Sequence, residues 1–388
     1  MTGEDDLNQP SPAPDPAFQQ QEKQFARAFA ILREAIAQRA FPGASLAVTH
    51  GGSLVASQGF GRFTYEGDSP EVQANTVFDI ASITKVVATT AIAMLLYERG
   101  KLPLDEPLAK TLPEFITLAP KHHQAERELV TMRMLLAHSS GLPAYEKLFE
   151  FARTRDDLVR AALTARLLHP PGTHVDYSDI GFIILGEALA RKAGESFDKF
   201  AEREIFAPLG MTSTCFNPPA KWKSQIPPTE GAQSYFQRVM QGEVNDENAS
   251  AVGGVAGHAG VFASATDIAR FAECMLRGRP PLFQRETVKL FTHREESPIG
   301  TTRALGWDTP SHPASSSGRL FSNVAFGHLG FTGTSLWIDP GRKLSVTLLT
   351  NRTWPDRASQ LIRGVRPKLH DAIVEALSYP NREDTAVP

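Results

Sequence analysis

Cysteine is scarce in this 388-residue chain. The two present, Cys215 and Cys274, stand far apart and show no C-x-x-C spacing, so a disulfide framework, a redox pair and a zinc ribbon are all excluded and two free thiols are expected. Charge of one sign is also missing. Forty basic against forty-three acidic residues leave a net charge of −3, with no block of like charges of the kind that binds nucleic acid or an anionic membrane. The apolar runs fall short of the roughly 18–20 residues that span a bilayer, so no membrane span is expected. The acidic, Pro-rich start "MTGEDDLNQPSPAPDPAFQQQEK" lacks the basic and apolar regions of a secretory signal and reads as a disordered leader over 1–17. A cytoplasmic location is the corresponding expectation, or a periplasmic one if the true leader is missing. Three catalytic signatures are absent as well: no serine has glycine two residues away on both sides, "GGVAGHAG" (253–260) lacks the Gly-Lys-Ser/Thr ending of a phosphate loop, and no H-E-x-x-H occurs. These absences argue against an α/β-hydrolase, a nucleotide enzyme and a metal or other cofactor.

What is present is a chain of 41% hydrophobic composition, enough to bury a substantial core. Phe25, Phe29, Leu32 and Ile36 recur at spacings of three and four and predict an amphipathic helix over 18–40. "ASLAVTH" and "SLVASQGFG", joined by Gly51-Gly52, predict a β-hairpin. At the other end "GTSLWIDP" and "LSVTLLTNR" flank Pro340-Gly341 as a second hairpin, followed by a helix over 359–377. The stretch between reads as mostly helical, with few convincing strands. The simplest architecture is α/β of the α+β kind: both termini share one antiparallel sheet (18–75 and 296–388), and a helical region (76–295) is inserted. A site is expected in the cleft between the two.

"DIASITKVVATT" (79–90) sets Ser82 and Lys85 three residues apart in a run that otherwise reads as buried. On a helix that spacing puts a hydroxyl and an amine on one face, where a desolvated amine can take the serine's proton. The motif is short and recurs at Ser196 and Lys199, but there Asp198, Glu202 and Arg203 mark the polar side of a surface helix with Ser196 as its cap.

Tyr177-Ser178-Asp179, after a Pro-Gly turn, and "GHLGFTGTSLWIDP" (327–340) complete a series. With "SITK", "YSD" and "HLG" in that order, the chain from about 20 to 378 resembles the serine β-lactamase and penicillin-recognising superfamily, particularly its class C-like branch with the family VIII carboxylesterases and DD-peptidases. The looser stretches "MRMLLAHSSGLP" and "GGVAGHAGVFASATDIARF" agree. The resemblance implies a β-lactamase-like fold and an acyl-enzyme mechanism. Ser82 would be the nucleophile, Lys85 its activating partner and Tyr177 the general base and then acid. The strand His328-Leu329-Gly330 would line the cleft. The backbone N–H groups of Ser82 and Phe331 would hold the oxyanion, with Gly330 allowing substrate to approach.

Two residues depart from the β-lactamase pattern. His328 replaces the usual lysine, so anionic substrates lose an anchor, and Asp179 replaces the usual asparagine. A carboxylate near Lys85 favours its ammonium form, leaving proton abstraction to a Tyr177 held ionised by Lys85, with Asp179 offset by Lys85 and a protonated His328. These departures favour a carboxylesterase acting on small esters. A β-lactamase or DD-peptidase is the alternative within the same chemistry, and a non-catalytic binding or scaffold protein the alternative outside it. His258 either lines the pocket or braces its loop, His122-His123 read as surface residues, Trp307 and Trp337 as core or cleft wall, and Tyr379-Pro380-Asn381 as a chance Y-x-N. The sequence leaves the oligomeric state open.

Overall fold

Gly51 and Gly52 both have positive φ (61° and 90°), the conformation that lets a two-residue turn match the twist of its strands. They join β1 (Gly43–His50) to β2 (Ser53–Gly61) as an antiparallel hairpin with a register shift at Val48/Thr49. The structure is a computed structural model that describes residues 20–121, 124–278 and 282–378. The leader, His122-His123 and Tyr379-Pro380-Asn381 lie outside the described residues.

After the first hairpin come β3 (Val77–Asp79), β4 (Cys215–Phe216), β5 (Val261–Ser264), β6 (Phe326–Leu329), β7 (Ser335–Asp339) and β8 (Leu344–Thr350). The main sheet runs β2-β1-β8-β7-β6, antiparallel throughout, so β1 near the start pairs with β8 near the end as the sequence implied. A smaller sheet, β3-β5-β4, lies within the region that reads as helical. Its strands have two to four residues, too short for alternation to register against the surrounding helices.

The helices that position the site are α1 (Ala26–Ala37), α2 (Ala91–Glu98), α3 (Asp179–Ala193), α4 (Ala265–Arg277) and α5 (Ile362–Ser378). The first predicted helix divides: a turn at Gln21–Gln24 precedes α1, and Phe25 between them leaves helical geometry (φ −102°, ψ 21°). Helices α1 and α5 cover one face of the main sheet. There Phe29 and Leu32 meet Val346, Leu348, Trp337 and Ile373, while Leu336, Ile338 and Leu349 point to the opposite core with Phe271 of α4. This period-two division is what a strand buried on both faces requires. Each buried large apolar side chain contributes roughly 1.5–3 kcal/mol. Ala81–Glu98 is long and apolar enough to cross a membrane by composition alone, which the run lengths had not suggested, but 83% of that window is buried inside the protein. Both cysteines are free, and burial pushes the Cys215 thiol up to about 12. Trp307 and Trp337 are core residues.

Candidate active site

The polypeptide leaves β3 through a strained turn. Ala81 has φ +47°, a left-handed conformation that non-glycine residues seldom adopt, and the buried Asp79 carboxylate holds it there by accepting from Ala81 N at 2.8 Å and Asn245 N at 2.7 Å. Burial pushes Asp79 up to about 6, against the pull of those hydrogen bonds. Thr332 Oγ1 donates to Asp79 O at 2.9 Å and Thr334 Oγ1 to Ile80 O at 3.1 Å, tying the β6–β7 turn to this corner. A Cβ on Gly330 would meet Thr334 Oγ1 and, at 2.7 Å, Ile80 O. The glycine therefore serves close approach of backbone to backbone, where the sequence suggested access for substrate.

Ser82 sits in a single 3-10 turn (Ala81–Ile83) and Lys85 opens a π-helical stretch (Lys85–Thr90) that feeds α2, where an α-helix was expected. The expected proximity is present nonetheless. Lys85 Nζ donates to Ser82 Oγ at 3.0 Å, to Asp179 Oδ1 at 2.6 Å and to His258 O at 3.2 Å, so all three ammonium protons have acceptors on a side chain that is 0% exposed.

Tyr177 and Asp179 straddle the cap of α3. Ser178 Oγ accepts from Gly181 N at 2.9 Å and donates to Pro143 O at 2.6 Å. His138, itself at φ +57°, grips the same segment: its Nδ1 accepts from Ser178 N at 2.9 Å, its carbonyl accepts from Asp176 N at 3.0 Å, and its ring lies 4.7 Å from that of Tyr177. The Lys85 ammonium lies 4.7 Å from the centre of the Tyr177 ring, and its charge acts on the phenol.

The electrostatics correct two expectations. Burial pulls Lys85 down, but Asp179 and Tyr177 outweigh it, so the amine lies above an ordinary lysine and rests as ammonium. Burial raises Tyr177 above an ordinary tyrosine, and Lys85 does not offset this, so Tyr177 rests as the neutral phenol and not as a tyrosinate. Burial, followed by the charges of Lys85 and Arg303, holds His328 well below the usual imidazole range. His328 is therefore neutral and cannot share in balancing Asp179. Its Nδ1–H donates to Leu329 O at 2.8 Å, leaving Nε2 as a buried acceptor without a partner among the described residues.

Ser82, Tyr177, Asp179, His328, Gly330 and Phe331 all line one cleft of about 1380 Å³. Phe331 is 47% exposed at its rim. Sequence reasoning missed Asp79, His138, Asp246 and Arg303. Asp246 Oδ1 lies 2.7 Å from His258 Nε2, which makes His258 a buried brace behind Lys85. The Arg303 guanidinium lies 5.2 Å from the Tyr177 ring centre and pairs with Asp308. The second S-x-x-K leaves Ser196 and Lys199 exposed, with Ser196 at the N-cap position of a five-residue helix.

An antiparallel sheet covered on one face by the terminal helices, with a serine and a buried lysine at the foot of a cleft beside a tyrosine, defines a serine acyl hydrolase of the β-lactamase fold. The Beta-lactamase family model matches residues 28–366, and the chain belongs to that family. It is 32% identical over 344 residues to the N-acetylmuramyl-L-alanine amidase of Bacillus subtilis (strain 168), covering 80% of this chain and 77% of the relative. Against a putative D-alanyl-D-alanine carboxypeptidase of Escherichia coli (strain K12) it is 32% identical over 303 residues, or 71% and 69% of the two chains. The fold matches that of EstCE1, a hydrolase with promiscuous acyltransferase activity, at a TM-score of 0.74 with 21% identity over 91% of this chain and 99% of the other. A class C beta lactamase from Rhodobacter sphaeroides matches at 0.70, with 22% identity over 91% and 99%. The protein is a serine hydrolase.

Proposed function

We propose that the protein is a carboxylesterase working through an acyl-serine intermediate on Ser82. The observation that carries this reading is the contact of Ser82 Oγ with Lys85 Nζ at 3.0 Å, with the Tyr177 ring 4.7 Å from the same ammonium and lining the same cleft as Ser82. Lys85 and Tyr177 act as one titrating pair. Once the pair has given up one proton, it takes the Ser82 proton as Oγ attacks the ester carbonyl carbon. The carbonyl oxygen, gaining charge, is received by the N–H groups of Ser82 and Phe331. Collapse breaks the ester C–O bond, the leaving alkoxide takes a proton from Tyr177, and water then attacks the acyl carbon to release the acid and restore Ser82. The neutral His328, standing where a β-lactamase carries a lysine, supports ester over β-lactam as the preferred acyl group.

A second reading, hydrolysis of amide bonds in peptides, is supported by the names of the two relatives at 32% identity, an amidase and a putative carboxypeptidase. One experiment separates them. The protein and its Ser82→Ala variant are incubated with a short-chain p-nitrophenyl ester, a chromogenic cephalosporin and an acyl-D-alanyl-D-alanine peptide, and product release and intact mass are followed. Ester turnover and a serine adduct, both lost in the variant, with slow release from the other two, is the expected result. Faster release from the peptide or the cephalosporin keeps the nucleophile and overturns the ester preference, and no turnover or adduct overturns the role of Ser82.

A further inference from the structure

The first two turns of α5 carry charge of the sign a helix N-terminus disfavours. Arg363 and Arg366 stand there with no acidic residue in the first turn, at the positive end of the helix dipole. Arg352, just beyond β8, adds a third guanidinium, and the charges of Arg352 and Arg363 both act on Arg366. All three line the cleft.

Two of them are buried and held in place. Arg366 Nη2 donates to Gly330 O at 3.2 Å and Thr334 O at 2.8 Å, while its buried Nε has no partner among the described residues. Arg352 Nε donates to Phe331 O at 2.8 Å, and its guanidinium lies 4.6 Å from the centre of the Phe331 ring. Their neighbours are neutralised: Arg357 pairs with Glu230 and Glu247, and Arg319 with Asp371. Among the described residues no carboxylate pairs with Arg352, Arg363 or Arg366, although burying a guanidinium without one is costly. Burial, with Arg352 and Arg363 close by, pulls Arg366 down to about 9, as uncompensated positive charge requires.

We propose that Arg352, Arg363 and Arg366 form a binding site for an oxyanion, a carboxylate or a phosphate, carried by the substrate away from its scissile ester. Phe331 links the two subsites, its N–H assigned above to the oxyanion and its own carbonyl held by Arg352 at 2.8 Å. The substrate class is therefore an acid-bearing ester, such as a hemiester of a dicarboxylic acid or a phosphorylated ester. The anion anchor lost at His328 is replaced farther along the same cleft. The inference deepens the esterase reading above and rests on it for the word substrate.

Arg363 is exposed and makes no side-chain hydrogen bond to a described residue, so its replacement leaves the fold intact, unlike that of Arg366. The test compares kcat/KM for the p-nitrophenyl hemiester of glutaric acid with that for neutral p-nitrophenyl valerate in wild type, Arg363→Ala, Arg363→Glu and Arg363→Lys. Thermal shifts with glutarate and with inorganic phosphate are measured alongside. The hemiester-to-neutral ratio is expected to fall roughly tenfold in Arg363→Ala, the value of one charge-assisted hydrogen bond, further in Arg363→Glu, and to recover in Arg363→Lys. Arg277→Ala, on α4 and paired with Glu273, is expected to keep the ratio. A rise in Tm with glutarate alone identifies a carboxylate site and with phosphate alone a phosphate site, each lost in Arg363→Glu. A ratio unmoved by Arg363→Glu, or no thermal shift by either anion in wild type, overturns the site. If wild type turns over neither ester but an anion still raises its Tm and not that of Arg363→Glu, the esterase reading falls and the anion site stands.

Discussion

The Lys85 ammonium and the Asp179 carboxylate lie 2.6 Å apart, the first wholly buried and the second at the cleft wall. Neither residue type alone explains the pairing. The ammonium is taken out of water only because Asp179, Ser82 Oγ and His258 O replace its hydration shell. The same carboxylate holds the proton on Lys85 and, by its charge, raises Tyr177 as well. In the acyl-serine mechanism proposed above, the resting site therefore carries one proton too many for attack.

Activity is therefore expected to rise along an alkaline limb that belongs to the Lys85–Tyr177 pair. Asp179→Asn removes a charge that raises both groups, so the limb of kcat/KM against pH moves to lower pH, by about one pH unit or more. A limb that stays where it is would show that Asp179 does not govern the pair.

Gly330→Ala pushes a methyl group against Ile80 O and Thr334 Oγ1. Overpacking of this kind costs about 1–3 kcal/mol, and here it displaces the corner that aims Ser82. Denaturant unfolding should report the loss of stability, and kcat should fall by more than KM changes. Wild-type kcat in the variant would show that the corner tolerates movement.

His328→Lys restores the charge of the β-lactamase pattern beside Lys85 and Arg303, whose charges already oppose a cation at this position. The expected result is lower ester turnover and a higher ratio of cephalosporin to ester kcat/KM. An unchanged ratio would remove His328 from the determinants of substrate choice.

Acid should destabilise the protein through buried neutral histidines. His138, His328 and His370 all have folded values below the unfolded one near 6.5, chiefly through burial, with His370 at about 4. Below pH 6.5 the unfolded chain binds protons that the folded one refuses, so each contributes a loss of roughly 1.4 kcal/mol per pH unit until its folded value is reached. His370 lies behind the site, its Nδ1 bonded to Ser316 O at 2.9 Å and its ring near Phe321. His370→Gln should flatten the fall in Tm between pH 6.5 and 4, and an unaltered slope would place the sensitivity elsewhere.

Much of the frame was legible because periodicity and turn chemistry are local. Gly51-Gly52 announced a hairpin, Pro340-Gly341 a second, and Phe29 and Leu32 the buried stripe of α1. The β3-β5-β4 sheet was not legible, since its strands are short and β3 pairs with β5 across the long stretch of chain between Asp79 and Phe262. Of the site, Ser82 and Lys85 could be read from their spacing, and Tyr177 from the family resemblance that its motif carries. Asp79 and His138 could not, because each acts through backbone groups that only folding brings to it: Ala81 and Asn245 for the first, Asp176 and Ser178 for the second.

Sequence alone determined which functional groups this protein owns and the order in which the chain presents them: a hydroxyl and an amine three residues apart, then a phenol beside a carboxylate, then a histidine strand. Tertiary structure alone decided their protonation. Whether Lys85 is ammonium, Tyr177 phenol and His328 neutral depends on burial and on charges brought from distant parts of the chain, and these act through distances of a few ångströms that no spacing in sequence encodes. The basic wall of Arg352, Arg363 and Arg366 is of the same kind: each arginine was visible in the sequence, but that no carboxylate among the described residues pairs with it became visible only in the fold.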